Sequence, residues 1–178
     1  MPKLPIIMFC FLCFTSSANG QNNRGQRYLA ALSFLQTNPE VRKEIKQAFP
    51  KLLRDKKRCL QFTVDSLVQP IPLYFFDGEI KPENLGLSDS LIRNDQKFNR
   101  EYGFEPYVCQ YLSVVSMSEQ SEMVLIFSKP INNFLIAEIL DKRLYTGRFK
   151  QGFALQMLFL FNESGKVADV FFTKTMYN

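Results

Sequence analysis

The stretch GFALQMLFLF (152–161), followed by NESG (162–165) and VADVFFT (167–173), decides the fold. Phe153, Leu155, Met157, Phe159 and Phe161 fall at every second position, the side-chain period of a strand. Asn162 to Gly165 then supplies turn residues, so the sequence predicts a β-hairpin with one strongly apolar face.

Upstream, the same pattern repeats. Tyr107–Met117, Met123–Phe127 and Phe134–Leu140 are apolar runs separated by Ser118-Glu119-Gln120-Ser121 and Lys129-Pro130-Ile131-Asn132. A longer turn, Asp141 to Gln151, precedes the hairpin. Connections this short make neighbouring strands antiparallel, which predicts a C-terminal meander. Two further strands are expected before it. One carries Leu60, Phe62 and Val64 in alternation, and the other is the run Leu73–Phe76 after the Gln69-Pro70-Ile71-Pro72 break. Between them and the meander, Ser88 caps an expected helix over 88–102 that carries Leu91, Ile92, Phe98 and Tyr102 and closes at Gly103.

The N-terminal third has helical spacing instead. Tyr28, Leu32 and Leu35 recur until Asn38-Pro39, where Asn38 caps and Pro39 opens a second helix. Val41, Ile45, Ala48, Phe49, Leu52 and Leu53 form its apolar stripe, interrupted by Pro50, so 27–58 is expected to be helical with a break. Residues 21–26 are polar and expected to fray. Together these elements predict an α+β domain: a curved antiparallel β-sheet of five to seven strands packed against N-terminal and middle helices. In element order alone the outline resembles the nuclear-transport-factor-2-like and cystatin-like cone folds. A small β-barrel with N-terminal helices is the alternative.

The first residues read as an address. Lys3 precedes an apolar run, Leu4 to Phe14, and a small-residue exit through Ala18 and Gly20. Residues 1–20 are thus expected to be a signal peptide and 21–178 one domain, with a periplasmic or extracellular location. The run is shorter than the roughly 20 residues a permanent membrane helix needs. Lipid attachment at Cys10 or Cys13, giving a membrane-associated lipoprotein, is the alternative location. Export would leave Cys59 and Cys109, either bridged or both buried as free thiols.

Composition narrows the chemistry. The 178 residues contain no His, which removes Ser-His-Asp, Cys-His and His-zinc sites. Eighteen Phe and seven Tyr without Trp point to a core built of rings. A protein that is 46% hydrophobic and 22% charged has the balance of one globular domain. No spacing demands a metal or cofactor, and none is expected.

Four groups of residues remain as candidates. Glu138 interrupts the run Phe134–Leu140 on the face shared by Phe134, Ile136 and Leu140, and Asp65 and Asp169 interrupt other strands. If its face is buried, Glu138 is a desolvated acid or base in an apolar pocket; otherwise it lies at an edge or rim or pairs with a nearby Lys or Arg, and for Asp65 and Asp169 a solvated sheet face explains the alternation equally well. Tyr107 and Tyr111 share a strand face, with Tyr74 as a possible neighbour, and line either a ligand pocket or the core. Arg42, Lys43, Lys46, Lys51, Arg54, Lys56, Lys57 and Arg58 form a basic face against Glu44 and Asp55, either solvated or facing anionic lipid. Asn162-Glu163-Ser164 fits the acceptor pattern for N-glycosylation.

The leading functional expectation is an exported binding or interaction protein taking a small apolar ligand or a protein partner. A His-free enzyme built on Glu138 or Asp65 with a Tyr or Lys is the second expectation, and a peripheral anionic-membrane binder the third. Nucleic acid is not an expected partner, since export removes the chain from it.

Overall fold

A computed structural model describes residues 19–52, 60, 62–71, 73–76, 85, 87, 107–110, 112, 121–147 and 149–178. Among these residues two helices, α1 (Asn19–Thr37) and α2 (Pro39–Ala48), precede seven strands. These are β1 (Thr63–Val64), β2 (Leu67–Val68), β3 (Tyr107–Val108), β4 (Met123–Phe127), β5 (Phe134–Asp141), β6 (Gly152–Phe161) and β7 (Val167–Tyr177). The main sheet runs β1-β4-β5-β6-β7, and β2 pairs with β3 in a separate ribbon. The protein is an α+β fold in which the helices pack on a five-stranded sheet.

Local chemistry sets the helices. Tyr28, Ala31, Leu32 and Leu35 lie on one side of α1 and are all buried. Asn38 ends that helix and caps the next: its Oδ1 accepts from the Glu40 and Val41 amides at 2.8 and 3.3 Å. Pro39 takes the first position of α2, where a missing N–H is no loss. Val41 and Ile45 are fully buried. The helix stops at Ala48, with the Phe49 amide returning to the Ile45 carbonyl at 2.8 Å before Pro50.

Both faces of the central strands are covered. On one, Leu125, Phe127, Leu135, Ala137, Ile139, Leu155, Met157 and Phe159 meet the apolar sides of α1 and α2. Phe161 belongs to the same cluster and Phe153 packs against it, so the face expected for the hairpin is the face the helices cover. Tyr28 meets Phe127, and Phe34 meets Phe159, edge to face with centroids 5.3 and 6.2 Å apart. On the other face, Phe134, Ile136 and Leu158 lie under Ile71, Leu73, Phe76, Leu85 and Leu87. Farther along that face, Val124, Ile126, Leu140 and Ala154 pack with Tyr145 and Tyr177. Burial on both sides explains why β4 and β5 read as continuous apolar runs rather than alternating ones.

Several expectations change. The sheet is mixed, not antiparallel throughout: β1 runs parallel to β4, with Thr63 opposite Val124 and Val64 opposite Leu125. Among the described residues it is also open, with β1 and β7 at opposite ends rather than paired as in a barrel. The run Leu73–Phe76 is a 3-10 turn rather than a strand. Pro70 and Pro72 precede it, and each lacks the N–H a ladder needs. Of the long strand expected from Tyr107, two residues pair; the Cys109 amide donates to Ser66, and the Leu112 amide turns back to Cys109 at 3.0 Å. Residues 21–26, expected to fray, lie within α1. The second helix ends ten residues before Arg58, as the proline limit requires. The helix expected over 88–102 lies outside the described residues. At the other end, β7 continues past Thr173 to Tyr177.

Removing the Asn38 cap tests the junction of the two helices. Asn38→Ala should lower the unfolding free energy by about 1 kcal/mol in urea titrations, while Asn38→Asp, which keeps the acceptor, should stay near wild type.

Candidate functional site

The register of β5 and β6 places Glu138 directly opposite Gln156, and β7 places Thr173 beside Gln156 and Tyr177 beside Gly152. Directly opposed residues of antiparallel strands share a face. Glu138, Gln156 and Tyr177 are thereby collected on the face that the helices do not cover.

The connection from Asp141 to Gln151 completes the group. Asp141 Oδ1 accepts from the Arg143 amide at 2.9 Å and starts a 3-10 turn, Lys142–Leu144. The Arg143 guanidinium hydrogen-bonds the same carboxylate and holds its pKa below the usual value. Tyr145 and Lys150 then pair as an antiparallel bridge, and the Gln151 amide donates to the Leu144 carbonyl at 3.1 Å. Gly152 sits at φ +75°, and a Cβ there would lie 2.7 Å from Leu144 Cδ1, so the chain closes tightly at a residue without a side chain. This closure points both Tyr145 and Lys150 at the sheet.

Two linked nodes result. At the first, Lys150 Nζ lies 2.5 Å from Glu138 Oε2, with Glu138 fully buried and the Lys150 side chain 11% exposed. Glu138 Oε1 accepts from the Tyr177 hydroxyl at 2.5 Å and from Gln156 Nε2 at 3.0 Å. Lys150 Nζ also sits 5.4 Å from the centre of the Tyr177 ring. Gln156 Oε1 is buried without a hydrogen-bond partner. At the second node the Tyr145 hydroxyl donates to the Asp65 carboxylate, and Gln69 Nε2 donates to Tyr145 at 2.5 Å and to the Gly147 carbonyl at 2.7 Å. Burial pushes the Tyr145 hydroxyl well above its ordinary pKa, the Asp65 carboxylate pushes it further, and the charge of Glu138 adds to both. That last influence ties the two nodes into one electrostatic neighbourhood.

The structure therefore brings Glu138 and Asp65 into one polar region with two tyrosines and a lysine. Glu138 is ion-paired with Lys150, one of the environments its sequence position left open. Tyr145, Lys150, Gln156 and Tyr177 carried no comparable signal. One could have been read: Gln156 interrupts β6 as Glu138 interrupts β5, and antiparallel pairing of the two strands puts such interruptions side by side.

Elsewhere, a cavity of about 380 Å³ opens at the end of the sheet, lined by Arg27, Asn133, Phe161, Asn162, Glu163 and Gly165. The Arg27 guanidinium stands 5.6 Å from the centre of the Phe161 ring and donates to the Asn132 carbonyl. Asn132 occupies the left-handed region at φ +45° in the β4–β5 turn. Asn162 Oδ1 accepts from Ser164 Oγ at 2.8 Å and from the Lys166 amide at 3.0 Å, which fixes the far wall.

The other candidates separate. Lys43, Lys46 and Lys51 are exposed and Arg42 is half-buried, whereas Arg54, Lys56, Lys57 and Arg58 lie outside the described residues. Tyr111 and the side chains of Tyr74 and Tyr107 also lie outside them. Cys109 is a buried free thiol, and Cys59 is outside the described residues. Asp169 is exposed on β7 and faces solvent. Among the described residues no helix is long and apolar enough to cross a membrane, and no group of His, Cys, Asp or Glu could hold a metal ion. No family model, curated protein or solved structure matches the chain.

Two measurements follow from the polar region. Lys150→Met leaves Glu138 buried without its cation and should be about 3–5 kcal/mol less stable than the double variant Glu138→Leu/Lys150→Met, which buries no charge there. Tyr145 keeps its proton more tightly when folded than when unfolded, so its contribution is complete below pH 10.0 and falls as the pH rises beyond it. Urea titrations at about pH 8 and about pH 11 should show the advantage of wild type over Tyr145→Phe shrinking at the higher pH.

Proposed function

We propose that the protein is an exported binding protein that takes a small polar ligand of saccharide type in the cavity between Arg27 of α1 and the turn that joins β6 to β7. The cavity itself carries this reading: about 380 Å³ of space with a guanidinium, two carboxamides, a carboxylate and a buried ring on its walls. Spaces of roughly 300–1,000 Å³ with a few converging polar groups are where small molecules bind. The Asn162 amide nitrogen offers a donor, its oxygen being taken by Ser164 and Lys166, and Glu163 adds acceptors, a combination suited to vicinal hydroxyls. Arg27 is held by the Asn132 carbonyl and the Phe161 ring, so its planar group is oriented before a ligand arrives.

This reading commits to a polar ligand because the cavity at the sheet's end has polar walls, whereas α1, α2 and the sheet share an apolar cluster. The signal-like start of the sequence supports export, where such binding proteins meet free saccharides. A second reading, carboxylate chemistry without His, draws on the convergence of Glu138 with Lys150 and Tyr177.

Calorimetric titration of the secreted protein with a panel of mono- and disaccharides tests the proposal. At least one should bind, and Asn133→Ala or Asn162→Ala should each weaken it by about 3–10-fold, the loss of one hydrogen bond. Absence of binding across the panel, or binding indifferent to both substitutions, would overturn it. Mass spectrometry of the same secreted material should find its first residue at Gln21.

A further inference from the structure

The Glu138 node is an unusual way to hold two strands together. A buried ion pair contributes little net stability, because desolvating both charges offsets most of their attraction. Gln156 adds to the imbalance by leaving its own Oε1 buried without a partner while its Nε2 serves Glu138. Departures of this kind from the most stable arrangement concentrate where chemistry occurs.

The two oxygens of Glu138 are also treated differently. Among the described residues Oε2 meets the Lys150 amine, at 2.5 Å. Oε1 meets two donors, the Tyr177 hydroxyl at 2.5 Å and Gln156 Nε2 at 3.0 Å. Two donors on one carboxyl oxygen can hold charge that develops there, and the amine is held against the other oxygen of the same group. Such lasting contact supplies the proximity that an intramolecular reaction needs.

We propose that Lys150 and Glu138 condense into an intramolecular amide, joining Lys150 Nζ to Glu138 Cδ. The ammonium first passes a proton to Oε2, leaving a neutral amine and a carboxylic acid. The nitrogen lone pair attacks Cδ, and the carbonyl electrons move onto Oε1, where Tyr177 and Gln156 hold the negative charge. A second proton passes from nitrogen to the Oε2 hydroxyl, which departs as water while the Oε1 carbonyl re-forms. Nitrogen keeps its third proton as the amide N–H, and the overall change is ammonium plus carboxylate to amide plus one water, with no other reactant. Full burial of Glu138 removes the bulk water that would oppose condensation, and the exposed fraction of Lys150 gives the released molecule a way out. Fixed partners of this kind react with effective concentrations of about 10⁵–10⁸ M. The product would tie β5 covalently to the connection that precedes β6. It is independent of the cavity proposed as a ligand site, since the two groups of residues do not overlap.

The intact mass and tryptic map of the folded full chain decide the matter. The protein should be lighter than its sequence by one water, should resist trypsin after Lys150, and should yield a branched peptide containing both Glu138 and Lys150. Lys150→Arg, which keeps the ion pair and cannot form the bond, should unfold cooperatively and show its full sequence mass. Tyr177→Phe should form the bond about 10²–10³-fold more slowly, as for loss of one oxyanion donor. A folded wild type at full mass with a linear peptide cut at Lys150 would overturn the proposal. A deficit of one ammonia would do so too, assigning the bond to Gln156 instead, and an unaltered rate in Tyr177→Phe would remove the oxyanion role.

Discussion

A carboxylate with no contact with solvent, set in the middle of an apolar layer, needs partners on every side, and Glu138 obtains them from three separate parts of the chain. Gln156 comes from the neighbouring strand, Tyr177 from the end of β7, and Lys150 from the connection that folds back over the sheet. Each must be in place before the charge can be buried without a penalty of several kcal/mol. The demand thus reaches beyond one residue. It sets the path of residues 141–151 and the docking of the C-terminal end of β7.

The same polar centre explains the division of that face. Its apolar side chains form two clusters, one under Ile71–Leu87 and one around Tyr145 and Tyr177, with Glu138 and Gln156 at neighbouring positions of the shared strands. The helical face has no such interruption and forms one continuous cluster. The sheet therefore has a side specialised for packing and a side that combines packing with charge. The cavity at Arg27 lies at the end of the first of these layers, where the helix and the last turn stop short of filling the space.

Much of the strand content was legible because its signals are local. Alternation in β6, the Asn162–Gly165 turn and the Asn38-Pro39 start of α2 depend on residues close in sequence, and the structure has all three. What escaped depends on distant parts of the chain. Parallel pairing of β1 with β4 joins segments about sixty residues apart, and nothing in Thr63–Val64 itself encodes that direction. The 3-10 turn at Leu73–Phe76 has strand-like composition, and its two preceding prolines were the available warning. For the polar region, Glu138 stood out because one charge among six apolar neighbours is rare, while a lysine in a surface connection looks ordinary until its partner is known.

The position of β1 also shapes how the chain reaches this state. From Met123 onward, each strand of the main sheet finds its partner in the next segment, so that part assembles through short closures. Strand β1 pairs there, and the apolar sides of α1 and α2 meet much of their cover there, in residues made last. During synthesis the leading third therefore emerges with part of its greasy surface uncovered until the trailing half arrives. Surface left open in this way is what makes incompletely folded chains associate with one another.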